Sequence, residues 1–410
     1  MTQGPLAPAG FAPDVPGFAA DPWPAYAALR DVGLCWHEGF GMWLAGRFAD
    51  VQAIATDRRM VRSPDSFTTA EERARLRRAA NFHDMPYHER FVQTSMLEVD
   101  GPDHTRMRRA VFPFFTRTRL ESLRDWIAAF TDGEVRRAVA RARFDFIADL
   151  AAGIPGQVIG RLMDLPPADA PQMTQWSEET VSFFDPDRTE ARKARAEAAT
   201  RAFHDYLQDR IAERRRALGD DLLSVLIRAE AEGVLTPDEV VINAMQLLHA
   251  GHGSTIDAMG NGMAALLAHP GQMARLRADP ALMPLAVQEI FRYAAPLPFF
   301  HRFASEPIEV AGRLWPTGTK FGLLYPAANR DPEAFPDPDR FDAGRQPNRH
   351  LAFGSGPHVC LGNNLSRMTM EALFTALLAQ TAVIEADGPA AWKPGLQAHG
   401  PLTLPVRVIK

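Results

Sequence analysis

Apolar positions along the chain fall into long helical blocks set between short extended runs. Leu34 to His37 and Met42 to Ala45 are two apolar runs joined through Gly39 and Gly41, which predicts a small hairpin after a short helix from about Pro24 to Arg30. Helical periodicity covers Thr116 to about Met163 and then Asp169 to Glu230, with breaks expected at Asp185-Pro186 and Gly219. The clearest helix runs from Thr236 to Ala268: Thr236 is an N-cap, Pro237 suits the first turn, and Glu239 stands where a capping box needs it. At about 1.5 Å per residue it would be roughly 50 Å long, and a helix apolar on most sides must be central. A further helix with Pro284 in its first turn carries Gln288 to Ala294, and a last one runs from Asn363 to about Gln380. Between them Pro332 to Arg349, dense in Pro, Asp and Arg, has no period and predicts an irregular meander. The fold class expected is mainly α with small β-sheets.

With 410 residues, 46% of them hydrophobic, the chain can bury a large core. No repeat or long linker divides it, so residues 1–410 are expected to form a single domain behind a Pro-rich lead, 1–23. The formal net charge of -5 gives no reason to expect nucleic acid or an anionic membrane as a partner. The first thirty residues carry neither a basic start nor an unbroken apolar run, so no signal peptide or anchor is expected. Cys35 and Cys360 are too far apart in sequence to suggest a disulfide framework, and two lone thiols suit a reducing, cytoplasmic setting.

Cys360 has an unusual neighbourhood. The run Phe353-Gly354-Ser355-Gly356-Pro357-His358-Val359-Cys360-Leu361-Gly362 puts a cysteine in a Gly-rich turn just before a helix. Glycines let such a turn approach a flat ligand closely, and the helix start lowers the pKa of a thiolate and restrains its electron donation. A buried cysteine is ordinarily a small hydrophobe; Cys35, without this context, is assigned to the core.

The run resembles the haem-binding signature of cytochromes P-450, matching every defined position. The resemblance implies the cytochrome P-450 fold, with haem b between a long central helix and the Cys-bearing loop. It makes Cys360 the axial ligand to iron, Phe353 a ring beside the sulfur, His358 a propionate contact, and Gly354 and Gly362 part of the cradle. Glu289 and Arg292, three apart on one helix face, are by themselves an ordinary ion pair. They match the family's Glu-x-x-Arg helix, and Pro338-Asp339-Arg340-Phe341 resembles the meander segment in which Arg340 would supply a second arginine. His104-Thr105-Arg106-Met107-Arg108 resembles a helix whose His104 and Arg108 reach a propionate, and Arg302 matches a further propionate arginine. Arginine forks suit the buried carboxylates of a haem. Ala328-Asn329-Arg330-Asp331-Pro332 and Leu404-Pro405-Val406 extend the likeness over nearly the whole chain.

One motif departs from the pattern. Ala250-Gly251-His252-Gly253-Ser254-Thr255 aligns with the oxygen-activation motif, but Gly253 stands at the acidic position and Ser254 at the alcohol. Gly251 and Gly253 weaken the helix ladder, either to open a bulge for dioxygen or to permit a close helix crossing. Ser254 can still hold water, whereas protons must come from water, from His252 or from Asp257, one turn further on. His249 and His252 at i, i+3 could also suggest a metal pair, with no third ligand visible.

By analogy the substrate pocket would take Leu97, Val181, Phe184, Gln246, Ala250, Leu297, Phe299, Phe300 and Leu402, with Phe183 beside them, which suits a small or medium apolar substrate. Arg106, Arg109, Arg117, Arg119 and Arg367 would flank the Cys side and suit an acidic ferredoxin, or simply form solvated helix faces. Glu71 to Arg78 is a further basic stretch near the expected substrate mouth. The activity implied is a monooxygenase using O2 and NAD(P)H electrons through ferredoxin and ferredoxin reductase, acting as a monomer. Gly253 keeps open a peroxide-using, phenol-coupling or nitric-oxide-reducing haem-thiolate enzyme, and a haem-bound ligand sensor is the alternative from another class.

Overall fold

The structure is a computed structural model that describes residues 4–15, 17–184 and 188–409. The chain forms two compact units: Met1–Val61, Leu123–Ile154 and Ser254–Lys410 make the first, Arg62–Ser122 and Pro155–Gly253 the second.

The first unit is built on a five-stranded sheet. The expected hairpin is there: Cys35–His37 pairs antiparallel with Met42–Ala45, opposing Trp36 to Trp43. Met42–Ala45 then runs parallel to Lys320–Leu324, followed by Phe299–Ala304 and the two-residue edge Met60–Val61. Trp43, Trp315, Phe321 and Tyr325 form the core on this sheet, together with Ile54 and Ala55 of the helix Phe48–Thr56. Met283–Tyr293 and Arg124–Val139 pack on Asn363–Gln380, the helix that follows the cysteine loop. No regular element interrupts Pro332 to Arg349, as the lack of period predicts.

The block from Thr116 to Met163 is not continuously helical. Arg117–Glu121 and Arg124–Val139 are helices, but Arg143–Asp145 is a strand paired with Pro405–Ile409, Phe144 opposite Val406. Ala142 at φ 59° turns the chain out of the helix. The Asp145 carboxylate then accepts the Ile147 and Ala148 N–H groups at 2.9 and 2.8 Å, starting the π-helical turn Ile147–Ala151.

The second unit is helical. Pro237–Ala250 is buried from Glu239 to Leu248 and packs against Pro86–Thr94, Ala170–Ser182, Glu190–Arg214 and Leu222–Ala231. Its N-terminus is the expected capping box: Glu239 N–H donates to Thr236 Oγ1 at 3.2 Å and Thr236 N–H to Glu239 Oε2 at 2.8 Å. Glu239 also takes both Arg106 guanidinium nitrogens, at 2.6 and 2.8 Å. The break expected at Gly219 falls between Glu190–Arg214 and Leu222–Ala231, whereas Asp185-Pro186 lies outside the described residues. The helix expected from Thr236 to Ala268 is two helices, Pro237–Ala250 and Gly253–Ala268, so the unbroken span of roughly 50 Å is corrected. Gly251 and His252 form the turn between them, and the division between the two units falls at Gly253 and Ser254.

Candidate active site

Cys360 sits in a turn closed by its own backbone. Its N–H donates to the Phe353 carbonyl at 2.8 Å, and Asn363 Nδ2 donates to the Cys360 carbonyl at 2.7 Å. Gly354 at φ 70° and Gly356 at φ 73° occupy the left-handed region. A Cβ on Gly356 would lie 2.2 Å from the Ala55 carbonyl oxygen, so the loop presses directly on the backbone of Phe48–Thr56. A Cβ on Gly362 would meet nothing within 4 Å. Cys360 is left exposed, while Cys35 is buried and its thiol is pushed up to about 11 by that burial. The Arg367 guanidinium lies 4.8 Å from the Phe353 ring centre; burial lowers its pKa, and the charge of Cys360 raises it again. Phe353 packs on Phe291 with ring centres 4.4 Å apart. A sulfur exposed on a backbone-closed loop, at a helix start and beside an arginine, fits the thiolate that haem iron requires, and the open Cβ position of Gly362 fits close approach of a flat ring.

Behind the loop lies a fully buried ion pair. Arg292 donates through Nε to Glu289 Oε2 at 2.7 Å and through Nη2 to Oε1 at 2.8 Å, neither side chain being exposed. The remaining Arg292 hydrogens go to the carbonyls of Asn329, Pro338 and Arg340 at 3.0, 2.7 and 3.1 Å. Glu289 accepts further bonds from the Asp342 N–H, Arg345 Nε and Asn348 Nδ2. The second arginine on the pair is therefore Arg345, and the assignment to Arg340 is corrected. The turn closed by Arg340 N–H on the Asp337 carbonyl, at 3.1 Å, presents the Arg340 carbonyl to the pair and leaves its side chain exposed. No local pattern marks Arg345; only the fold of the meander brings it there.

The helix turn behaves differently. Gly251 packs close: a Cβ there would stand 3.1 Å from Ile159 of the helix Gly153–Leu162. Gly253 is open, with nothing within 4 Å of its Cβ position. The close-packing reading of the glycine pair therefore holds at Gly251. Ala250 is exposed, Gly253 and Ser254 are half-buried, and Thr255 is buried. Asp257 is buried in the first unit, its Oδ1 2.6 Å from Lys393 Nζ and its carboxylate beneath Gly400. It is thereby committed to an ion pair that sequence spacing does not reveal. His252 is buried in the second unit, and its ring lies against Gly156.

The remaining site residues are placed unit by unit. In the second, His104 is buried on Gly101–Val111 with Arg108 half-buried one turn on; in the first, Arg302 is buried in Phe299–Ala304 with Nη1 donating to the His301 carbonyl at 2.8 Å, and His358 is half-buried. Among the pocket candidates Gln246 is buried and Leu97, Val181 and Phe184 are half-buried. Phe183 is core rather than lining: it is wholly buried with Met85 and Ala196, its ring 5.1 Å from Phe82. Leu297 is half-buried, Phe299 and Phe300 pack on separate core clusters, and Leu402 is half-exposed at 50%. Arg106 is neutralised by Glu239 and Asp103 and does not add to a basic face. Arg119 covers Phe114 and donates to the Asp220 carbonyl at 2.6 Å, leaving Arg109 and Arg117 exposed.

Mostly helical architecture with small sheets, a closed cysteine loop and a buried Glu-Arg lock define a haem-thiolate protein. Residues 71–388 match the family described as cytochrome P-450, and the chain belongs to that family, whose cofactor is haem b and whose members are oxidoreductases. It is 36% identical over 402 residues to the cytochrome P-450 monooxygenase PikC of Streptomyces venezuelae, covering 95% of this chain and 92% of that one. It is also 36% identical over 324 residues to 6-deoxyerythronolide B hydroxylase of Saccharopolyspora erythraea, 78% and 79% of the two chains. The crystal structure of CalO2 superposes with a TM-score of 0.90 at 30% identity, over 97% of this chain and 98% of that one. Among the described residues no helix is long and apolar enough to cross a membrane.

Proposed function

We propose that the chain works in the cytoplasm as a single-domain, monomeric monooxygenase over residues 1–410. It inserts one oxygen atom of dioxygen into a small or medium apolar substrate by hydroxylation, O-dealkylation or epoxidation. Electrons come from NAD(P)H through a ferredoxin and its reductase, with Arg109 and Arg117 offering positive charge to an acidic partner. The observation that carries the reading is the exposed Cys360 thiol on its backbone-closed loop. The relative named 6-deoxyerythronolide B hydroxylase supports hydroxylation as the reaction.

Haem held by Cys360 would supply the dioxygen-activating chemistry, for which a thiolate ligand is suited. The chain's own residues do the rest. The hydrogen bond from Cys360 N–H to Phe353 and the Arg367 charge hold the sulfur's position and restrain its basicity. By the family's pattern His104, Arg108, Arg302 and His358 would offer charge and hydrogen bonds to the carboxylates of a bound haem. Glu289, Arg292 and Arg345 fix the meander against the cysteine loop's supporting helix. Ser254 holds a water and its proton on the oxygen side, while Gly251 and Thr255 shape the turn around it. By the family's pattern Leu97, Val181, Phe184 and Gln246 of the second unit would face the substrate.

The open position at Gly253 favours one second reading, a haem-thiolate enzyme that takes peroxide directly and so needs no proton feed. The absorbance spectrum of the reduced protein under carbon monoxide, followed by product yield with reductant against yield with hydrogen peroxide, separates the two. A thiolate-type Soret band with reductant-driven product supports the monooxygenase; efficient peroxide-driven product alone supports the second reading; absence of the band overturns Cys360 as ligand.

A further inference from the structure

The reaction proposed above takes up two protons and two electrons for each dioxygen and releases one water. A chain without a carboxylate at Gly253 needs another route for those protons. We propose that Ser177, His249 and His252 form a proton relay from the Thr174 side of the second unit to the helix turn at Gly251–Gly253, replacing that carboxylate. The inference rests on the monooxygenase reading.

The geometry lies within one unit. Thr174 and Ser177 are three apart on Ala170–Ser182 and so share a face of that helix, while His249 lies in the last turn of Pro237–Ala250 and His252 in the turn that follows it. The two helices pack on each other. Ser177 Oγ lies 2.7 Å from His249 Nδ1, a hydrogen bond. Thr174 Oγ1 and His252 Nδ1 each lie 3.3 Å from one point, the Cβ position of Gly156, so both border the space at that glycine, and a water held there would be needed to join them. A side chain at 156 would crowd that space. Thr174 is half-buried and meets solvent, while Ser177 and His252 are buried. His252 is the residue before Gly253, whose Cβ position is open.

Hydroxyl and imidazole groups in this order pass protons without net charge. A ring that accepts a proton on one nitrogen releases one from the other and returns to neutral. Burial, with the His252 imidazole adding to it, pushes His249 down to about 4, so that ring stays neutral at neutral pH. A chain of neutral donors and acceptors also suits a site in which a buried carboxylate would cost desolvation. Asp257, the other nearby acid, is held by Lys393.

The test uses the haem-loaded enzyme in His249→Gln, His252→Gln, Ser177→Ala and Ser177→Thr forms. Each is measured for peroxide released per electron consumed and for the solvent deuterium isotope effect on product formation. The imidazole nitrogen resonances of the diamagnetic ferrous carbon monoxide form report the Ser177–His249 bond independently of turnover. Expected are a rise of about tenfold in peroxide leakage and a larger isotope effect for both histidine variants. Ser177→Ala should show a smaller rise together with a displaced His249 Nδ1 resonance, and Ser177→Thr should restore both. Unchanged leakage and isotope effect in both histidine variants, with the thiolate carbon monoxide band intact, would overturn the relay while leaving the monooxygenase standing. Loss of that band in the unaltered protein overturns the monooxygenase reading and the relay with it.

Discussion

The cysteine loop and the helix turn at Gly251–Gly253 use glycine in opposite ways. At Gly356 a side chain has no room: the backbone is left-handed and the Ala55 carbonyl oxygen lies 2.2 Å from where Cβ would be. At Gly253 there is room and no side chain. The first glycine is dictated by close backbone approach, so the position of the Cys360 sulfur is a property of the main chain. The second is a choice about which chemical group the turn carries. An iron ligand must be held at one distance, and only a rigid loop does that. Protons need only a connected set of donors and acceptors, which can be rebuilt from other residues.

The largest effect that would break this contrast is expected at the loop. Cys360→Ala should abolish the thiolate-type carbon monoxide band and all reductant-driven product, while leaving circular dichroism in the helical region nearly unchanged. Retention of the band would mean that the loop's geometry serves something other than ligation.

Next is the buried lock. Glu289→Gln leaves Arg292 and Arg345 buried without their counter-charge, and the expected loss is about 3–5 kcal/mol of unfolding free energy, read from the denaturant midpoint. Arg340→Ala is expected to change little, since that residue contributes only its carbonyl. The pair of measurements distinguishes a side-chain role from a backbone one.

This lock also shows where sequence stops being legible. Glu289 and Arg292 are visible because helical spacing makes i, i+3 residues neighbours. Arg345 is not, because the meander has no period and its partner is set by how the loop folds back. The helix ending at Gln380 and the hairpin at Cys35–Ala45 match their patterns because local signals and tertiary packing agree there. Thr236 to Ala268 reads as one helix because apolar residues continue through Gly251 and Gly253, yet the chain breaks where the side chains that support a ladder are missing. Phe183 and Phe184 show the same limit: adjacent aromatics look alike in sequence, but one is wholly buried beside Phe82 and the other half-buried. Lys393 against Asp257 and Ser177 against His249 carry no signal in spacing, because each joins separate segments of the fold.

A direct test of the opposition between the glycines is to add the same methyl group to both. Gly356→Ala should destabilise by about 2–3 kcal/mol, through the strained φ and a collision with a backbone atom that cannot move aside. Gly253→Ala should fall within about 1 kcal/mol of the parent, and in the stabilising direction, since alanine is the better helix former and finds open space. Equal losses in thermal midpoint shifts would mean that the turn is as tightly constrained as the loop.

Asp257→Asn is expected to cost about 1–2 kcal/mol, because Lys393 keeps a hydrogen-bond partner but loses the counter-charge. Its peroxide leakage should stay that of the parent. A rise in leakage without loss of stability would return Asp257 to the proton path and show that the ion pair opens during turnover.

The smallest effect expected is also the one that bears most closely on the contrast. Gly253→Glu places a carboxylate where the family's pattern has one, in a position with nothing within 4 Å and next to His252. If the oxygen side already receives its protons through imidazoles, the new acid adds a parallel route, and peroxide leakage should fall by no more than about threefold, in keeping with a group that duplicates an existing donor. The same substitution made together with His252→Gln should then show a much larger recovery, because the acid would be replacing the route instead of accompanying it. A large fall in leakage from Gly253→Glu alone would mean that the parent turn runs short of protons, which would shift the weight toward the peroxide-using reading.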